Sequence, residues 1–189
     1  MSFTKTLRFG LVALVLLLTI AISARPLHAQ INNADLSDAE VEQVRNARYV
    51  PSDCILLFVK FLDRRDKEIE DLYSHPRRPG REQDTHDLIA QFSAIADELS
   101  DNIDNYAPHE ADLRKALPKV VQATQRWSSS LNSLPPNDTY NLARTMALES
   151  LQDLRDDATQ LSTTQLAWYK AHPPHKQKDE QNQEITIPR

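Results

Sequence analysis

Between Leu113 and Leu134 the chain places Leu113, Leu117, Val120, Thr124, Trp127, Leu131 and Leu134 at steps that alternate between four and three. A row with that spacing stays on one side of an α-helix and forms a seam of the coiled-coil kind. It predicts a helix from about His109 to Leu134. Pro118 has no amide to donate, so it marks either a kink in that helix or its real start. Similar rows lie on both sides. Ile55, Val59, Leu62, Ile69 and Leu72 predict a helix from about Ser52 to Ser74, capped by Ser52, and Leu88, Phe92, Ile95, Leu99, Ile103 and Tyr106 predict one from about Glu82 to Tyr106. Tyr140, Ala143, Ala147, Leu151, Leu154, Ala158, Leu161 and Trp168 predict the longest, from about Asp138 to Ala171. Ahead of these, Ser37 and Glu40 in "SDAE" form the capping pattern of a short leading helix that ends near Ala47, before the elbow "RYVPS".

Strand-like alternation is missing from the sequence, so the chain reads as all-α. Short connections favour antiparallel neighbours. The expected architecture is an up-down-up-down antiparallel four-helix bundle over residues 51–171, with a leading helix and elbow over 30–50 and a polar tail, 172–189, expected to be disordered. In that arrangement "HPRRPGR" and "SLPPND" fall at one end, and "RYVP", "NYAPHEAD" and "AWYKAHPPH" at the other. The last helix, at about 34 residues or roughly 51 Å, outruns partners of about 35 to 40 Å. Its overhang needs a cover, and the leading helix is expected to fold onto it and shield Trp168.

Residues 1–29 have a different character. Lys5 and Arg8 precede an apolar run from Phe9 to Ile22, and "LHAQ" offers a cleavage point after Ala29, the pattern of a signal peptide. The run is shorter than the roughly 20 apolar residues of a comfortable membrane span. A cleaved, soluble product in the periplasm or outside the cell is therefore expected, with an uncleaved anchor as the alternative. The leader carries three of the 22 basic residues and none of the 27 acidic ones, which leaves a net charge of −8 for residues 30–189. That sign, with Lys and Arg interleaved among acids, argues against nucleic acid as a partner. Cys54 is the sole cysteine, so an internal disulfide is excluded. It reads as a small buried hydrophobe, and a disulfide-linked homodimer is the alternative.

Candidate chemistry gathers at the two ends. Gly80 is the single glycine after residue 29, and it stands among Arg77, Arg78 and Arg81, between Pro76, Pro79 and the start of a helix. The segment reads as a helix-stopping corner. Its arginines form a candidate anion-binding corner beside the positive end of that helix, opposed by Glu82, Asp84 and Asp87. At the other end Tyr49, Tyr106, His109, Trp168, Tyr169, His172 and His175 belong to segments that should meet, and they form a candidate docking or ligand end. Asp97, Asp101 and Asp104 read as a solvated helix face, since the glycine-turned loop of a calcium site is missing. The sequence carries neither Cys-X-X-Cys-His, nor His-Glu-X-X-His, nor Glu-X-X-His, so no metal site is assigned and no cofactor is expected. With no catalytic set of any specificity, the chain reads as a non-enzyme.

"LSTTQ", Leu161 to Gln165, resembles the Leu-Thr-X-X-Gln motif of small periplasmic helical chaperones of the envelope-stress type, with Ser162 in place of Thr, and "LSDAE", Leu36 to Glu40, is a looser copy with Glu40 in place of Gln. "RRPGREQDTHDLI", "ADELSDNIDNY", "RKALP" followed by "RW", and "WYKAHP" resemble segments of uncharacterised exported bacterial helical-bundle proteins. The first resemblance implies chaperone activity, the second an architecture without an activity. The functional expectation is a non-catalytic exported bundle that binds a protein or an envelope component; the alternative is a periplasmic haem or metal carrier of four-helix-bundle type.

Overall fold

In a computed structural model of the chain, residues 36–109 and 111–172 are described. The expected signal peptide, its cleavage point, His175 and the rest of the expected tail lie outside them. The described residues form five α-helices and one 3-10 turn, and no strand occurs among them: α1 (Asp38–Ala47), α2 (Pro51–Ser74), α3 (Arg81–Tyr106), the 3-10 turn Ala107–His109, α4 (Leu117–Ser133) and α5 (Asn141–Ala171). The chain is therefore all-α, as its periodicity predicts.

Three helix starts have a local cause. Ser37 and Glu40 close the expected capping box on α1, with the Ser37 amide donating to Glu40 Oε2 at 2.8 Å and the Glu40 amide donating to Ser37 Oγ at 3.4 Å. Ser52 is not the cap of α2: Val50 holds that place with Pro51 in the first turn, and the Ser52 hydroxyl donates instead to the Asp112 carbonyl at 2.7 Å. Proline at a helix start suffices, because the amide it lacks would have had no partner there. The same rule settles Pro118. It lies in the first turn of α4, so the helix begins at Leu117 and residues 111–116 form a connector rather than a helical extension.

The core follows the apolar rows. Leu113, Leu117, Val120, Thr124, Trp127, Leu131 and Leu134 are all buried, although the first and last lie outside α4 itself. Trp127 meets Phe92 edge to face, with centroids 5.6 Å apart, and its indole N–H donates to Asp63 Oδ1 at 2.9 Å. The outer positions of the rows fare less well. Leu72, Leu88, Tyr106 and Leu161 are half-buried, and Trp168 is exposed.

The packed pairs are α2 with α3, α4 with α5, α3 with α5, α2 with α4, and α1 with α2. Consecutive helices are thus neighbours three times, but α3 and α4 are not among the packed pairs. The connector between them gives the chain room to cross, where a tight turn would have kept them side by side. α1 also departs from expectation. It lies along α2, where Glu40, only 1% exposed, takes both ends of the Arg65 guanidinium at 2.9 and 3.0 Å and a further bond from Arg64. A buried carboxylate is tolerated when its oxygens are filled in this way. That anchor holds α1 on α2, and Trp168 stays 38% exposed instead of being covered.

Candidate functional site

The aromatic end is tied to the connector by a side chain that the sequence marks only as the last residue of "LSTTQ". Gln165 is buried on α5; its Nε2 donates to the Ala111 carbonyl at 2.7 Å and its Oε1 accepts the Leu113 amide at 2.9 Å. It thereby satisfies two backbone groups of the connector and ties that segment to the last helix. The elbow joins through the Ser52 bond to Asp112 and through the Tyr106 hydroxyl, which donates to the Arg48 carbonyl at 3.3 Å. Burial above all, and then Cys54, push the Tyr106 phenol up to about 12, so it is a neutral donor at any ordinary pH. Burial likewise raises the Cys54 thiol, which makes it an inert core residue rather than a nucleophile.

On this frame the predicted residues take distinct places. Trp168 stacks on His172 with centroids 4.7 Å apart and meets Tyr169 edge to face at 4.8 Å. The Arg114 guanidinium lies 3.7 Å from the Tyr169 ring centroid, a cation–π contact from the connector. A cleft of about 130 Å³ opens between Ala107, Leu161, Thr164, Gln165, Trp168 and Tyr169. Tyr49 stands on the elbow, 76% exposed, beneath the Arg48 guanidinium at 4.8 Å. His109 ends the 3-10 turn that leads into the connector. The structure therefore brings together the elbow, the connector and the end of α5, and leaves an apolar and aromatic surface open there. Among the described residues, no three His, Cys, Asp or Glu side chains gather as metal ligands.

At the other end, Gly80 sits at the N-cap of α3 with φ 84°, the left-handed region that glycine enters without strain. Arg77, Arg78 and Arg81 do not act as one patch. Arg78 turns outward to Asp84 at 2.6 Å, while Arg77 and Arg81 both approach Glu82 Oε1, at 3.1 and 3.5 Å. The Glu82 carboxyl is held below the usual carboxylate range by its own backbone amide first and by the two guanidiniums after it. Arg81 lies 4.5 Å over the ring of Tyr73, whose hydroxyl donates to the Tyr140 hydroxyl at 2.9 Å; Tyr140 in turn donates to the Pro135 carbonyl at 2.5 Å. Burial, followed by the neighbouring Tyr73, raises the Tyr140 phenol further still. Between these corners lies a cleft of about 240 Å³. Tyr73, Tyr140 and Asn137 belong to it, and Arg144 stands beside Tyr140; none of these was marked by the arginine-rich stretch alone.

In comparison with known proteins, no family model, no curated protein sequence and no solved structure matches the chain.

Proposed function

We propose that this is a non-catalytic binding protein, exported through a leader over residues 1–29, which docks a protein or another envelope component on its aromatic end. The observation that carries the reading is the open surface at that end: Trp168, Leu166 at 58% exposure and Tyr49 stand around a frame that buried Gln165 and the Ser52 hydroxyl hold together. Exposed rings on a fixed support are the composition of a docking anchor, because they bring large contact area at little entropic cost. The charge pattern is compatible with a protein partner, and the acidic net charge disfavours nucleic acid.

The same reading takes α2–α5 as a four-helix bundle whose helices alternate in direction. Bonds between α2 and the connector or α4 support this, because their sequence separations stay nearly constant, at 60 for Ser52–Asp112, 62 for Asp53–Lys115 and 64 for Asp63–Trp127. Helices that run the same way give such a constant; antiparallel ones do not. Alternating direction with α3 and α4 on a diagonal then makes α2 and α4, and likewise α3 and α5, parallel neighbours.

The test is recovery of envelope proteins from the source of the chain on the immobilised protein, with a Leu166→Ser, Trp168→Ala double variant beside it. A defined protein held by the first and lost from the variant, at unchanged melting temperature, is expected. Equal recovery on both would move the docking surface elsewhere.

A further inference from the structure

The cleft between the arginine corner and the α4–α5 corner is chemically unlike the aromatic end, and it is independent of the docking reading. Its donors are oriented but only partly used. Among the described residues, Arg77 gives its Nε to Glu82 and has no other hydrogen bond; Arg81 reaches the same oxygen through one terminal nitrogen, while its Nε is buried without a hydrogen-bond partner there. Asn137 accepts the Thr139 amide on Oδ1 at 3.0 Å, which leaves its side-chain NH2 as a further donor. The start of α3 has no side-chain cap, because glycine holds the N-cap. First-turn amides of a long helix point outward and carry partial positive charge; here the Arg81 amide donates to the Arg78 carbonyl at 3.3 Å and the Glu82 amide to its own carboxylate, so displacing that carboxylate frees the second. The tyrosine hydroxyls are not donors to the cleft, since the proton of Tyr73 goes to Tyr140 and that of Tyr140 to Pro135. They form its floor.

The charge balance favours an anion. Arg77 and Arg81 line the cleft against one carboxylate, Glu82, and Arg144, beside Tyr140 but outside that lining, is bonded among the described residues to neutral groups, the Leu134 carbonyl and Asn141 Oδ1. Glu82 is then an internal ligand. It occupies the guanidiniums with one oxygen of a flexible side chain, where a free oxyanion would present several oxygens to the same forks.

We propose that this cleft is a binding site for a small oxyanion, a phosphate or a phosphate-bearing headgroup, which displaces Glu82 from Arg77 and Arg81. Arg78, paired outward with Asp84, is not part of it.

The experiment follows the backbone amides of Glu82 and Gln83 by ¹⁵N NMR during titration with inorganic phosphate. In the unaltered protein, saturable shifts confined to this cleft are expected. Glu82→Gln removes the internal competitor and should tighten binding roughly tenfold. Adding Arg77→Gln to that variant should reverse the gain, and Arg77 is 72% exposed, so the fold does not depend on it. Should Glu82→Gln disturb the fold, Arg77→Gln in the unaltered background decides alone, by loss of the shifts. Vesicles of phosphatidylglycerol and of phosphatidylcholine separate the sources: competition by the anionic vesicles identifies a headgroup, and indifference to both identifies a free anion. Shifts that are absent, that spread over every basic residue, or that survive Arg77→Gln overturn the proposal.

Discussion

Gln165 shows how much one polar side chain can carry. It fills the carbonyl of Ala111 and the amide of Leu113, two groups in a segment with no helix of its own to satisfy them. Gln165→Ala should lower stability by about 1–3 kcal/mol in a urea titration, the cost of burying two unpaired backbone groups, and Gln165→Leu should not restore it despite its similar volume. Asp66 acts in the opposite direction. Its Oδ1 is buried without a hydrogen bond, and burial above all pushes its carboxyl up to about 6; Glu70 and Asp63 add to the rise, Arg126 opposes it, and Ser130 faces it with geometry short of a formed bond. An acid raised in this way binds its proton more tightly in the folded protein, so its contribution is full below the ordinary value of 3.8 and is lost as pH climbs through about 6. In a dry site that displacement would cost ~3 kcal/mol at neutral pH, and solvent screening of this half-exposed group reduces the figure to about 1 kcal/mol. Asp66→Asn should therefore raise the melting temperature at pH 7 and lose that advantage by pH 4. An equal effect at both values would assign the change to packing.

At the scale of the element, α1 is the separable piece. Its main packing is on α2, and it is anchored through Glu40, whose removal would take two bonds from the buried Arg65 guanidinium. Breaking such a pair costs about 3–5 kcal/mol where the element cannot let go. Here it can, so Glu40→Ala should detach α1 locally: hydrogen exchange should show its amides unprotected while the core of α2–α5 keeps its protection. Deleting residues 36–47 should leave the quenching of Trp168 by acrylamide unchanged, because Trp168 is already 38% exposed with α1 held on α2. The same element shows where sequence and structure part. The capping box was legible because it is local, Ser37 to Glu40, whereas the docking face of α1 was not, because Arg65 lies 25 residues from Glu40 and a charged residue inside an apolar row reads as a solvated one. Pro118 was legible only as a choice. Its neighbours fit the seam whether or not they are helical, as buried Leu113 demonstrates from within the connector.

For the whole molecule, the two ends of α5 divide the chemistry. Tyr140 and Trp168 are separated by roughly 42 Å of helix, with a cationic cleft at the first and an aromatic surface at the second. The meeting of the corner segments was legible, since helix lengths and turn positions decide which loops share an end. The membership of each site was not. Tyr73 and Asn137 enter the cleft from two segments, with Arg144 beside Tyr140, none basic enough to stand out, and Gln165, though it closes "LSTTQ", is a gap in the row of apolar positions until its partners are seen. The proposed docking is tested most directly by placing a photo-crosslinking amino acid at position 168, and separately at exposed Glu68 on the flank of α2, in the protein expressed in its native host. A discrete adduct from position 168 that is missing from position 68 is the predicted result. The same adducts from both positions, or none from position 168, would contradict it.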